Sequence, residues 1–364
     1  MEAFRVLALG GDGIGPEVLE AGLQVVQVVA DRGGVDIILE RDLLHGAAWD
    51  AYGTFCRDET VKAAKDADAV LVGAVGGPKW DNIRVPGGPE MQDGLMRLRK
   101  ELGTYAGLRP ARFWPSLSSK TPFAPGRAEG SDILILREMC GGVMFAPPRG
   151  QGEKDGVRYA YDTAAYSEPE LRRFAIAGFE LARSRTGRMI SADKANVMES
   201  YKLWREIVCE VAQDYPDVEL THMFADNCAY QMVMNPKNFD VVIGCNLLGD
   251  LLSDLAAVVS GGLGLLPSAC LAGPPGSGAK GIFEPVHGSA PDIAGTGKAN
   301  PVGMILSVAM MFEHSLRRPD LAAVIEGAVE AALADPILTP DLGGTSTTDQ
   351  VTRAILRRLA KVAA

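Results

Sequence analysis

Positive charge is in short supply in this chain. Its 364 residues carry 36 lysines and arginines against 46 acids, a net charge of −10, and no basic stripe interleaved with aromatics runs through it. A surface of that sign repels phosphate backbones, so nucleic acid is not an expected partner. Long apolar runs are missing too, and none approaches the roughly 18 residues that a membrane span needs. The six cysteines (Cys56, Cys140, Cys209, Cys228, Cys245 and Cys270) form no CxxC pair and show no zinc-ligand spacing. That usage suits free thiols of a reducing compartment. Strand-like sequence begins at Phe4–Leu9, which leaves no room for a signal peptide before it, and a cytosolic location is expected. Internal repeats and low-complexity tracts are absent. A dinucleotide fingerprint also fails in the first turn, Gly10-Gly11-Asp12-Gly13-Ile14-Gly15-Pro16-Glu17, because Pro16 stands where the third glycine belongs.

What is present is the composition of an ordinary globular protein, 47% hydrophobic and 23% charged. The length suffices for two domains, each with its own core. Strand-like runs (Phe4–Leu9, Ala69–Gly73, Asp132–Leu136, Arg188–Ala192, Asp240–Gly244) alternate with helical stretches. Pro16 suits a first helical turn. Ser167-Glu168-Pro169-Glu170 is a capping box, followed by an inner stripe of Leu171, Phe174, Ala175, Gly178 and Leu181. Leu203, Trp204, Ile207, Val208 and Val211 form a second stripe. This alternation predicts an α/β fold with a largely buried sheet. Breaks rich in Pro, Gly and Ser fall at Pro115–Gly130 and Gly273–Gly281, and Gly150–Ser167 reads as an extended hairpin or arm.

The most informative pair is Asp250 and Asp254 in Gly249-Asp250-Leu251-Leu252-Ser253-Asp254. After the strand-like Asp240–Gly244, this segment reads as a helix running through Val259 and stopping at Gly261-Gly262. Positions i and i+4 share a helical face, so both carboxylates project to one spot. A cation relieves their repulsion, and hard oxygen ligands suit Mg²⁺ or Mn²⁺. The competing reading is a solvated helix start with Asp250 near the N-cap. Arg99, Arg109 and Arg137 each border apolar sequence, where a guanidinium fork can bind a carboxylate or simply pair with an acid. Lys194 follows the strand-like Arg188–Ala192, and near a divalent cation a lysine can act as a base. Asp226 is a candidate third carboxylate. The segment Phe283–Gly295 sets small residues beside His287 and Asp292, as a nucleotide site would, or as a polar loop would.

In order and spacing these segments resemble the β-decarboxylating dehydrogenases, and within them the isopropylmalate branch. The likeness runs from Gly11–Glu17 to Asp341-Leu342-Gly343-Gly344, and Val75–Trp80, Asp193–Val197 and Glu284–Gly295 are its most specific stretches. It implies a two-domain isopropylmalate/isocitrate dehydrogenase-like fold with a large mixed sheet, not a Rossmann fold. Residues 1–104 and 261–364 would form the cofactor-side domain. Residues 105–260 would form the substrate and dimerisation domain, with an arm near 145–167. It also implies a homodimer with shared active sites. Asp250 and Asp254 of one subunit and Asp226 of the other would hold Mg²⁺ or Mn²⁺. Arg99, Arg109 and Arg137 would grip the carboxylates of a small malate, and Lys194 of the second subunit would help take the hydroxyl proton. Leu95, Met96 and Val197 would meet the malate substituent. Glu284, His287, Gly288, Ser289, Ala290, Asp292 and Asn300 would line the NAD site. The reaction implied is oxidation of the hydroxyl, loss of CO₂, and return of a proton to C3.

Two positions depart from that pattern. Met144, in Gly141-Gly142-Val143-Met144-Phe145, stands where the family carries its proton-donating tyrosine, and a thioether has no proton to give. Gln92 stands where a glutamate is usual. Tyr230 is a possible replacement donor, with a core or interface role as the alternative. Cys140 and Cys228 near the site have no assigned role. Met96 and Met144 leave room for a substituent larger than isopropyl. Three activities are therefore expected candidates. The first is NAD-dependent oxidative decarboxylation of a 3-alkyl- or 3-arylmalate, in leucine biosynthesis or specialised metabolism. The others are a metal-dependent lyase or decarboxylase without net redox, and a binding paralogue of low activity.

Overall fold

Ten strands form one mixed sheet in a computed structural model that describes residues 3–361. In chain order these strands are β1 (Ala3–Gly11), β2 (Asp36–Asp42), β3 (Ala69–Ala74), β4 (Ala106–Arg112) and β5 (Asp132–Glu138). The short strands β6 (Gly150–Lys154) and β7 (Val157–Tyr161) lie outside it, and β8 (Arg188–Asp193), β9 (Glu219–Phe224), β10 (Val241–Gly244), β11 (Pro267–Leu271) and β12 (Gly281–Pro285) complete it. The spatial order is β2-β1-β3-β12-β11-β4-β5-β10-β8-β9. Its two wings are parallel, β2-β1-β3-β12 and β5-β10-β8-β9. They are joined through antiparallel pairs of β11 and β4 with each other and with their outer neighbours. The expected large mixed sheet is thus present, and the first wing draws on both the early and the late parts of the chain.

Side-chain alternation explains why the strands read as unbroken apolar runs. Val6 and Ala8 of β1 and Ala69 and Leu71 of β3 enter one core, while Leu7, Leu9, Val70 and Val72 enter a second on the other face. A strand covered on both faces needs apolar residues at every position. The capping box at Ser167 and Glu170 opens helix Glu168–Ser184 as predicted. Within Gly150–Ser167 the strands β6 and β7 pair as a hairpin, turned by Asp155 (φ 53°) and Gly156 (φ 79°) and exposed at every strand position but Gly152. No helix among the described residues is long and apolar enough to cross a membrane.

One boundary differs from expectation. Helix Asn246–Ser260 starts at Asn246, with Cys245 as its N-cap and the Leu248 N–H donating to Sγ at 3.3 Å. Cysteine is not a usual cap, so the sequence hid this start. Asp250 therefore lies a full turn inside the helix rather than near its N-cap. At the other end Gly261 (φ 100°) stops the helix, where it was expected to stop.

Candidate active site

The antiparallel pairing of β4 and β5 sets Arg109 and Arg137 on one face of the sheet, under helix Asn246–Ser260. Gly249 makes the close approach possible, since a Cβ there would stand 2.8 Å from that of Arg137. Both arginines reach the next residue. Arg109 Nη1 donates to Asp250 Oδ1 at 2.9 Å and to Ser253 Oγ at 2.7 Å, and Arg137 Nη1 donates to the same Oδ1. The rest of the Arg137 fork is held by Asn246, whose Oδ1 accepts from Nε at 3.2 Å and from Nη2 at 2.8 Å. Arg109 and Arg137 are 7% and 5% exposed, so these contacts are sheltered from water. Burial, and then the charge of Arg109, push Arg137 down to about 10 against the pull of Asp250. Partial burial and the Asp250 charge raise Asp254 above the usual carboxylate range. A cation placed between the two aspartates would reverse that rise, and the donor set of carboxylate oxygens fits a hard divalent ion.

Asn246 and Ser253 were not singled out in the sequence. Ser253 did carry a signal, three residues after Asp250 on the same helical face. Asn246 carried none, because its partners Arg137 and Gly141 are 109 and 105 residues away.

Arg99 behaves differently from the other two arginines. From helix Gly94–Leu102 it pairs with Glu284 of β12, with side chains only 12% and 10% exposed. Burial opposes its charge, yet Glu284 more than offsets this and holds the guanidinium above its ordinary value. An expected substrate contact and an expected cofactor contact are thus partners of each other. Glu284→Gln should destabilise the fold by about 3–5 kcal/mol, as a buried cation loses its counter-charge. Denaturant midpoints of the two proteins measure this, and an unchanged midpoint would refute the pairing.

Lys194 and Asp226 sit together elsewhere. Lys194 Nζ donates to Asp226 Oδ1 at 2.7 Å, and that bond holds the aspartate below its usual range. The pair borders a cavity of about 340 Å³ whose wall includes Val143, Tyr166, Tyr201 and Cys245. Val197, on the same loop as Lys194, is 68% exposed. Among the described residues no group of three or more His, Cys, Asp or Glu side chains stands close enough to hold a metal ion. Within one chain, Asp226 is therefore not gathered with Asp250 and Asp254.

A third group surrounds the glycine turn. The Ile14 N–H donates to Ser289 O at 2.8 Å, and a Cβ on Gly13 (φ 58°) would lie 2.0 Å from that oxygen. Asp12, also missed in the sequence, is buried and accepts from His45 Nδ1 (2.9 Å) and the N–H groups of Gly46 (3.1 Å), Ala47 (2.8 Å) and Gly76 (2.8 Å). The turn is therefore locked to the loop 287–292. His287 Nδ1 lies 2.9 Å from Gly288 O, burial lowers its pKa, and its Nε2 is buried without a partner. Ala290 adopts φ 37°, while Gly288 and Asp292 are exposed. An orphaned ring nitrogen beside small exposed residues fits a nucleotide. Asn300 is already occupied, with Nδ2 donating to Asp341 Oδ2 at 3.0 Å and Oδ1 accepting from Val302 N–H at 3.1 Å.

Around the substituent positions, Leu95 is 5% exposed and belongs to the second core, which leaves half-buried Met96 as the side chain with surface to offer. Met144 lies on the short turn Gly142–Met144, where its Sδ accepts from Arg137 Nη2 at 3.3 Å. Gln92 is spent on the backbone of Val85. Tyr230 is 58% exposed in the single chain, which rules out a core role. Burial pushes the Cys228 thiol up to about 12 and raises Cys140 still further, so neither is a ready thiolate.

Comparison with known proteins adds a consistent picture. The sequence model described as isocitrate/isopropylmalate dehydrogenase matches residues 5–355. A 3-isopropylmalate dehydrogenase of Oleidesulfovibrio alaskensis is 49% identical over 94% of this chain and 95% of its own length. One from Aquifex aeolicus is 44% identical over 100% and 99%. Among solved structures, isocitrate dehydrogenase from Methylococcus capsulatus superposes with a TM-score of 0.86 at 32% identity, covering 98% of this chain and 100% of that one.

Proposed function

The chain belongs to the isocitrate/isopropylmalate dehydrogenase family of oxidoreductases, and from that premise we propose that it oxidatively decarboxylates a 3-substituted malate with NAD and Mg²⁺ or Mn²⁺. The observation that carries the reading is the convergence of buried Arg109 and Arg137 on Asp250. Two sheltered guanidiniums on one carboxylate form a ready receptor for a substrate that brings carboxylates of its own. Asp250 and Asp254 would hold the divalent ion together with Asp226 of a second subunit. The ion would supply a Lewis acid for the substrate's hydroxyl oxygen, and NAD would supply the hydride acceptor. Arg109 and Arg137 orient the malate, and Lys194 Nζ, from the second subunit, takes the hydroxyl proton as oxidation proceeds. Arg99, fixed by Glu284, contributes positive charge from behind.

A homodimer follows from the same reading, with residues 105–260 as the substrate and dimerisation domain and residues 1–104 plus 261–364 as the cofactor-side domain. Supporting it, Tyr230, Val233, Met234, Leu247 and Leu251 leave apolar surface exposed on helices Ala225–Met234 and Asn246–Ser260. We place NAD along the loop 287–292, where the charge of Asp292 accepts ribose hydroxyls and repels a 2′-phosphate. The six free thiols favour a cytosolic setting.

Met144 decides between substrates and between reaction classes. Its sulfur touches Arg137 and cannot supply the C3 proton. The space gained by losing a tyrosine favours a substituent bulkier than isopropyl. Met144→Tyr should raise NADH formation from 3-isopropylmalate by about 10²-fold, by restoring a general acid, and impair turnover of a 3-benzylmalate. Wild-type turnover of 3-isopropylmalate that the variant fails to exceed would contradict the role given to Met144. CO₂ release from 3-substituted malates without NADH, in both proteins, would favour the lyase reading instead.

A further inference from the structure

A cavity of about 520 Å³ lies on the face of the sheet opposite Arg109 and Arg137. Alternation along the strands places it there. Leu108, Pro110 and Arg112 of β4 and Asp132 and Leu134 of β5 line it, while the intervening Arg109 and the odd-numbered Arg137 point to Asp250. Helices Val302–His314 and Pro319–Leu333 close the other side. Nothing in the proposed reaction uses this space.

Its charge is unbalanced. Arg112 Nη2 is paired with Glu330 at 2.8 Å and its guanidinium stacks 4.1 Å from the Trp114 ring centre. Arg185 is shared between Asp240 at 2.6 Å and Asp132 at 3.2 Å. Both cations at the rim are thus taken. Glu313 and Glu326 line the same cavity, and among the described residues neither meets a lysine or arginine within ion-pair distance. Glu326 feels the charge of Arg112 only from beyond ion-pair distance, and Glu313 has His314, with Nε2 3.8 Å from Glu313 Oε2. Burial drives His314 down to about 4, so it is neutral at physiological pH and offers no counter-charge. His314 is 7% exposed, forms part of the cavity wall, and leaves Nδ1 without a partner. Burial also raises both glutamates, and for Glu326 the more distant Arg112 does not cancel that rise. Below them the wall is apolar, with Leu134, Leu306 and Met310.

We propose that this cavity binds a small aliphatic amine or diamine, its ammonium group between Glu313 and Glu326 and its alkyl chain against Leu134, Leu306 and Met310. An ammonium supplies the charge that the two glutamates lack, and the hydrocarbon stem covers apolar wall that water otherwise wets. Three lining carboxylates, Asp132, Glu313 and Glu326, against two guanidiniums already engaged select a cation and reject an anion of similar length.

The probe is 1,5-diaminopentane, titrated into the wild-type protein by calorimetry and followed in parallel by tryptophan fluorescence, since Trp114 lies in the wall. Saturable binding is expected, with no binding of glutarate or 1-pentanol. Glu313→Gln with Glu326→Gln should weaken the diamine at least about tenfold at an unchanged melting temperature. Glu326→Lys, which supplies an ammonium from the chain itself, should block the site. Asp250→Asn should bind as wild type does, because its carboxylate lies on the other face. Absent or non-saturable binding, wild-type affinity in the glutamine or the lysine variant, or loss of binding in Asp250→Asn would each overturn the proposal.

Discussion

Asp250→Asn is expected to abolish divalent-cation-dependent turnover and also to destabilise the protein by about 1–2 kcal/mol, a buried-pair loss reduced for partial solvent access. Both effects come from one atom. Asp250 Oδ1 accepts from Arg109 and from Arg137, whose side chains are 8% and 6% exposed, while the aspartate itself is 35% exposed. Sequence alone points the other way on stability, because two aspartates one helical turn apart should gain when one charge is removed. The structure reverses the sign. Two buried guanidiniums outweigh one neighbouring carboxylate, and an asparagine leaves them facing each other. Steady-state rates against Mn²⁺ concentration, with thermal unfolding of the same samples, test the two parts separately. Retained cation dependence would remove Asp250 from the metal site, and unchanged stability would contradict the ion-pair geometry.

Lys194→Met should lower kcat by about 10²–10⁴-fold with little change in KM, since the lysine is assigned to proton transfer and not to substrate affinity. The fold should be indifferent, because among the described residues the Lys194 ammonium is hydrogen-bonded to Asp226 alone, which is 71% exposed. A loss confined to KM would make Lys194 a binding residue. Near-normal kcat would show that the hydroxyl proton leaves by another route.

The architecture was legible in the sequence because its strands are covered on both faces. Val241, Val242 and Ile243 of β10, and β3 throughout, are buried, and such strands announce themselves as continuous apolar runs. The capping box at Ser167 and the hairpin after Gly150 were legible for similarly local reasons. The site was legible only as separate candidates. Whether Arg99 would face a substrate or a carboxylate depended on Glu284, 185 residues away, and no local pattern carries such a pairing. Asn246 escaped notice because its helix begins behind an unusual cap, and Asp12 because its four donors come from two distant segments, His45–Ala47 and Gly76. The position of Leu95 was misleading in the opposite sense. One residue from Met96, it turns into the core, since adjacent helical positions face about 100° apart.

The separation of Lys194 and Asp226 from Asp250 and Asp254 within one chain makes a shared active site the central claim. Co-expression of Lys194→Met and Asp250→Asn chains, with different affinity tags to isolate the mixed dimer, tests it most directly. In the mixed dimer one site would combine the intact Asp250 of one chain with the intact Lys194 of the other, and the second site would carry both lesions. The account predicts that each parent is inactive while the isolated mixed dimer recovers about half the wild-type NADH formation per dimer. A mixed dimer as inactive as its parents would place the whole site within a single chain and contradict the account.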